Sequence, residues 1–194
     1  MLFILKNLIS KLKFLVLVSI CLAGAFIGLL VWTRTNNGSI QKPSSCLIQE
    51  EIRIVRGNSL EPLITSGSKV KALFGYYNCY EIKRDDLVLY RYEGNKDPLL
   101  KIVKGLPGDT FYLILNHNNI YNLLINGKIV VNSEGKPYVF FGSRYKMLKL
   151  YEDDYHGIIP SNTYLLLGNQ ISGSIDAGAF GLVSKEDIIG KVEK

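Results

Sequence analysis

LLKIVKGLPGD, residues 99–109, sets the pattern of the chain: a short aliphatic run closed by a turn signal. In an extended strand, alternation places Leu99, Lys101 and Val103 on one face and Leu100 and Ile102 on the other. Pro107-Gly108 then suits the two central positions of a type II turn, because the proline ring presets φ and glycine accepts positive φ. The same grammar recurs on both sides. EEIRIVRG (50–57), SKVKALFGYY (68–77), DDLVLYRY (85–92), FYLILN (111–116), NLLINGKIVVN (122–132), TYLLLGN (163–169) and AFGLV (179–183) are short runs rich in β-branched and aromatic residues, divided by turn residues. No ten-residue stretch after Trp32 shows a persuasive 3.6-residue apolar period. The chain is therefore predicted to be mainly β, an antiparallel sandwich or barrel-like domain over residues 46–194. Asn126-Gly127, two residues tolerant of positive φ, marks the best hairpin. Residues 133–160 are less regular and Tyr-rich and are predicted to form an insertion or cap.

The N-terminus has a different character. Phe14–Trp32 runs 19 residues without a charge, preceded by Lys6, Lys11 and Lys13. That length just spans a bilayer core, and Trp32 stands where an interfacial aromatic belongs. A cleaved leader ending at Ala23-Gly24-Ala25 is disfavoured because seven more apolar residues follow it. A lipoprotein cut at Cys21 is disfavoured by the large Ile20. The expectation is a single retained anchor at 14–32 with a basic cytoplasmic segment at 1–13. A polar stalk at 33–45 (TRTNNGSIQKPSS) then leads to an extracytoplasmic domain. The lipid bilayer is thus one predicted partner.

Composition narrows the rest. Hydrophobic residues make up 47% and charged residues 21%, a globular balance. The 23 basic residues exceed the 17 acidic ones, but Met1–Trp32 holds three Lys and no acid, leaving 20 against 17. No basic stripe interleaved with aromatics is present, which argues against nucleic acid as a partner. Cys21 falls in the apolar span. Cys46 and Cys79 fall outside it, where a disulfide can persist, so they read as either a bridge or two buried thiols. No CxxC or CxxH spacing suggests a metal site.

RGNSLEPLI (56–64) contains the candidate nucleophile, Ser59, in a stretch that would otherwise be an ordinary turn. A serine hydroxyl needs a base. The two histidines, His117 and His156, both sit in polar loops, so a Ser-His-Asp triad is not expected. The paired acids Asp85-Asp86 and Asp153-Asp154 read as turn caps. What remains is serine chemistry with a lysine base, which requires burial to depress the amine pKa. Lys101, flanked by Leu99, Leu100, Ile102 and Val103, is the candidate. By itself it reads first as an ordinary snorkelling strand-edge residue.

RGNSLEP (56–62), KRDDLVLY (83–90), KIVKGLPGD (101–109), LLLGNQISGSIDAGAFGLV (165–183) and IIGKV (188–192) occur in this order behind an apolar N-terminal segment. Together they resemble the motifs of the type I signal (leader) peptidases, membrane-anchored serine proteases with a Ser/Lys dyad. The resemblance covers roughly residues 52–192. It implies Ser59 as nucleophile, within a Gly57-x-Ser59-x-x-Pro62 setting, and Lys101 as general base. It also implies Ser174 as the hydroxyl that orients the lysine, and Asp176 as the supporting acid. The Ser59 backbone N–H would be one oxyanion donor. Gly57 stands where some members carry a second hydroxyl, which leaves Asn58 as an alternative second donor. The implied substrates are exported preproteins with small residues one and three positions before the cut, and no cofactor is implied. Three departures stand out. Leu60 replaces a methionine. Gly168-Asn169-Gln170-Ile171 replaces Gly-Asp-Asn-Arg. Asp176-Ala177-Gly178 replaces Asp-Ser-Arg, which removes the arginine expected beside Asp176. Two alternatives accompany this reading: a related Ser/Lys peptidase dedicated to a pilin-like substrate of conjugative transfer, and a non-catalytic membrane-tethered β-domain.

Overall fold

A computed structural model describes residues 46–93, 97–117 and 119–194. The predicted basic segment, anchor and stalk lie outside the described residues, among which no helix is long and apolar enough to cross a membrane.

Among the described residues eleven strands form two sheets, and every pairing between these strands is antiparallel. In chain order the larger sheet uses β1 (Gln49–Ile54), β2 (Lys69–Phe74), β3 (Leu87–Tyr90), β4 (Leu99–Gly105), β9 (Thr163–Leu167), β10 (Val183–Ser184) and β11 (Ile188–Glu193). Across the sheet they run β1-β2-β11-β3-β4-β9-β10. The smaller sheet is built from β5 (Phe111–Leu115), β6 (Tyr121–Ile125), β7 (Lys128–Ile129) and β8 (Val139–Phe140), with β6 pairing all three others. The mainly antiparallel β expectation therefore holds.

The turns behave as their residues require. Gly108 takes φ 83° and the Asp109 N–H donates to the Leu106 carbonyl at 3.1 Å, which closes β4. Asn126 and Gly127 take φ 51° and 73° in the β6–β7 hairpin, where Ile125 faces Lys128. The buried Asp109 carboxylate joins the two turns: it accepts from Leu106 N at 2.6 Å, Asn126 Nδ2 at 2.6 Å and Arg84 Nη2 at 2.8 Å.

Strand β4 lies inside the larger sheet, between β3 and β9. Its alternation divides its aliphatics between two apolar clusters. Leu99 and Val103 join Tyr77, Val88, Tyr164 and Leu166. Leu100 and Ile102 join Val55, Leu60, Ile64 and Val70. Strand β9 has a similar double role, since Leu165 and Leu167 enter a third cluster with Phe111, Leu123, Tyr138, Phe140 and Leu148 beneath the smaller sheet. Cys46 and Cys79 form a disulfide with Cα atoms 5.7 Å apart, deciding between the two readings of that pair.

Two local expectations are corrected. Residues Gly142–Asp154 form a helix, α1, where no helical period was seen. Leu148 is its one buried residue, Tyr145 and Tyr151 are only packed at the margin, and Leu150 is exposed, so the apolar stripe is too narrow to stand out. AFGLV is not a continuous strand: Ala177–Phe180 form a short helix, α2, before β10 begins. Asp176 caps it, its side chain accepting from Gly178 N and its carbonyl from Phe180 N at 3.1 Å. IIGKV is a strand between β2 and β3, its run interrupted by Gly190, where a Cβ would lie 2.9 Å from the Leu73 carbonyl oxygen.

Candidate active site

Ser59 stands on a turn that is held from several directions. Gly57 takes φ 82° with open space around its Cα, so it is required there for conformation rather than for room. The Glu61 N–H donates to the Asn58 carbonyl and the Ile64 N–H to that of Leu60, both at 3.0 Å. Leu60 is buried in the cluster beside β4 and anchors the turn to the sheet. The segment after β9 grips it from the far side. The Asn169 N–H donates to the Ser59 carbonyl at 2.6 Å, Asn169 Nδ2 to Glu61 O at 3.1 Å, and Gln170 Nε2 to Asn58 O at 3.2 Å. Asn169 and Gln170, the departures from Gly-Asp-Asn-Arg, thus clamp the serine turn with neutral amides.

Lys101 is 2% exposed, and being on an internal strand it has no open edge toward which to snorkel. Its Nζ lies 3.1 Å from Ser59 Oγ and 3.4 Å from Ser174 Oγ. Burial lowers its pKa from 10.5 to about 8; the Asp176 carboxylate pulls it up and the Arg144 guanidinium pushes it further down. At a pKa of about 8, roughly a tenth of Lys101 is neutral at pH 7, and the share grows as pH rises.

Ser174 and Asp176 complete the group. Ser174 Oγ donates to Asp176 Oδ2 at 3.0 Å, which turns its lone pairs toward Lys101. Asp176 is fully buried. Its Oδ2 also accepts from Gly168 N at 3.2 Å, its Oδ1 from Gly178 N at 3.1 Å, and Arg144 Nη1 sits 3.0 Å from Oδ1. Arg144 Nη1 donates as well to the Ser174 carbonyl at 2.9 Å. Gly168 has to be glycine, since a Cβ there would come within 2.8 Å of the Ser59 carbonyl oxygen.

The structure thus brings together Ser59, Lys101, Ser174 and Asp176. Two contributors were not found from sequence, and both come from the region 133–160. Arg144 is carried by α1, and Tyr138 donates from its hydroxyl to the Gly168 carbonyl at 2.6 Å. The only sequence hint was indirect: a buried acid lacking its expected neighbouring arginine needs a cation from elsewhere. His117 and His156 remain on exposed loops, and among the described residues no cluster of His, Cys, Asp or Glu could hold a metal. Among these residues the Ser59 N–H donates to no acceptor, and Asn58 is exposed.

The arrangement is suited to one proton transfer. A neutral amine that donates one N–H to Ser174 keeps its lone pair for the Ser59 hydroxyl. A cleft of about 700 Å³ opens beside the pair, lined by Ile52, Ile54 and Arg56 on one side and by Pro98 and Leu100 on the other. Ser59 and Lys101 both contribute to its lining.

Residues 43–194 match the family model described as "Signal peptidase, peptidase S26". Signal peptidase I of Bacillus caldolyticus is 30% identical over 143 residues, covering 72% of this chain and 75% of the relative. Signal peptidase IB of Staphylococcus aureus (strain COL) is 25% identical over 149 residues, covering 71% of this chain and 73% of the relative. The crystal structure of a signal peptidase I from Enterococcus faecalis V583 aligns with a TM-score of 0.40 at 21% identity, covering 59% of this chain and 98% of that one.

Proposed function

The chain belongs to the signal peptidase family, peptidase S26, and from that premise we propose that it cleaves signal peptides from preproteins with Ser59 as nucleophile and Lys101 as general base. It is a serine endopeptidase of a membrane-associated family. The observation that carries the residue assignment is the 3.1 Å approach of a buried, pKa-lowered Lys101 amine to Ser59 Oγ.

In this reading, neutral Lys101 takes the Ser59 proton as Oγ attacks the scissile carbonyl carbon. The carbonyl π pair moves onto oxygen, and the Ser59 N–H donates to that oxyanion. The tetrahedral intermediate collapses, the C–N bond breaks, and Lys101 returns the proton to the leaving amine. The acyl ester on Ser59 is then hydrolysed by a water that gives its proton to the same amine. Ser174 and Asp176 hold the Lys101 amine on Ser59 throughout. The apolar segment 14–32 is proposed to span the bilayer once, N-terminus in the cytoplasm, keeping the site near emerging signal-peptide ends. Small side chains one and three positions before the cut are the proposed recognition feature.

The full chain in detergent, given a preprotein with alanine at those two positions, should release the mature product. Ser59→Ala and Lys101→Ala should each abolish release. Near-normal cleavage by either variant would sink the assignment, while turnover of one dedicated substrate alone would favour the specialised peptidase.

A further inference from the structure

The missing arginine beside Asp176 is replaced in space by one that sequence distance concealed. Arg144 is 32 positions upstream, in the first turn of α1, and is largely buried. Its Nη1 reaches both ends of the Ser174–Asp176 pair: the Asp176 carboxylate at 3.0 Å and the Ser174 carbonyl at 2.9 Å. Its guanidinium lies over the Phe140 ring, 5.2 Å from the centroid, a stacking that a planar cation makes favourably. The backbone around it is shaped to admit it. A Cβ on Gly178 would lie 2.7 Å from Arg144 Cζ, and one on Gly173 would lie 2.6 Å from Arg144 Nε, so a side chain at either position would displace the guanidinium from where it now lies.

We propose that Arg144 is a positioning residue of the catalytic site, and that helix α1 belongs to that site because it delivers the cation that fixes Asp176 and Ser174 against Lys101. Asp176 is fully buried, and a buried carboxylate without a counter-charge is strongly destabilising. The cation that compensates it also bonds the Ser174 backbone, so one group sets both the acceptor of the Ser174 hydroxyl and the placement of that hydroxyl. The charges acting on Lys101 are Asp176, which favours the ammonium, and Arg144, which disfavours it. Losing Arg144 leaves Asp176 unopposed, so Lys101 should keep its proton to higher pH.

The inference rests on the Ser59–Lys101 reading, and its test is chosen to be separable from it. The Lys101 side-chain amine is titrated by NMR in the full chain in detergent, its signal identified by loss in Lys101→Met. In Arg144→Gln the midpoint should rise by about half a pH unit or more, with kcat near neutral pH falling roughly tenfold and KM little changed. A purely structural role would lower the yield of folded protein without moving the midpoint. An unmoved midpoint in Arg144→Gln overturns the proposal, whatever happens to the rate. Should that variant fail to fold, Arg144→Lys decides. Its shorter ammonium must give up one of the two contacts, so kcat should fall with the midpoint retained, and a wild-type kcat overturns the proposal. If Ser59→Ala still cleaves, the dyad reading fails, yet the titration still judges Arg144 because it needs no turnover.

Discussion

Lys101 Nζ lies 3.1 Å from Ser59 Oγ, although 42 positions of chain separate the two residues. The contact exists because an internal strand buries the lysine while a turn packed through Leu60 brings the serine over it. With Lys101 titrating at about 8, the neutral base is scarce at low pH and accumulates as pH rises. The rate constant kcat/KM, which reports the free enzyme, should climb through about pH 8 and then level off. A flat profile across that range, measured on the full chain with a peptide substrate, would remove Lys101 as the base.

The same burial predicts a stability change. In the unfolded chain Lys101 has its ordinary pKa of 10.5, and in the fold about 8, so the unfolded state binds more protons between these values. Stability therefore rises as pH increases from 8 toward 10.5, and below 8 the full penalty applies. Lys101→Met, similar in length and without charge, should abolish cleavage yet stabilise the protein at neutral pH by up to about 3 kcal/mol. Chemical denaturation at neutral pH and again near the unfolded pKa checks this, since the gain should shrink at the higher pH.

Ser174→Ala removes the hydroxyl that links Lys101 to Asp176. A hydrogen bond to a charged or ionisable amine contributes about 1.5–3 kcal/mol, so kcat should fall about 10- to 100-fold with little change in KM. A variant with undiminished kcat would show that packing alone orients the lysine.

The strands were legible because short aliphatic runs between turn residues have few other ways to bury their side chains, and β4 begins and ends where LLKIVKG does. Turn chemistry was equally legible at Pro107-Gly108 and Asn126-Gly127, where one backbone conformation suits the residues. What stayed hidden depended on contacts distant in sequence. Helix α1 shows too narrow an apolar stripe because its buried side is shared among Leu148, two marginal tyrosines and the polar Arg144. Asp176 converted an apparent strand into α2 by capping it, a local effect that composition outweighed. Within the site, residues held in ordered motifs could be named, whereas Arg144 and Tyr138 act through geometry that no local spacing encodes.

The Cys46–Cys79 disulfide closes a loop over 33 positions and ties the start of β1 to the turn before β3. Loop-closure entropy gives about 3–4 kcal/mol for a loop of that size. The Cys46→Ser/Cys79→Ser double variant should therefore unfold at a distinctly lower denaturant concentration. Its cleavage rate under native conditions should stay close to that of the unsubstituted chain, because neither cysteine lines the cleft that holds Ser59 and Lys101. A loss of rate in the folded variant would place the β1 end in the substrate path.

Tyr138→Phe offers a contrast to substitution of Arg144. The buried Tyr138 hydroxyl donates to the Gly168 carbonyl at 2.6 Å, and the Gly168 N–H in turn donates to Asp176. Burial holds that phenol protonated well above its usual range, so it acts only as a donor at working pH. Phenylalanine fills the same ring space and leaves the carbonyl without its partner, at a cost of about 1–3 kcal/mol. No charge near Lys101 changes. The thermal midpoint should fall while the pH at which kcat/KM reaches half its plateau stays fixed. Measuring both in one variant separates support of the Gly168 backbone from tuning of the Lys101 amine: a shifted pH midpoint in Tyr138→Phe would mean that the phenol reaches Lys101 through Asp176.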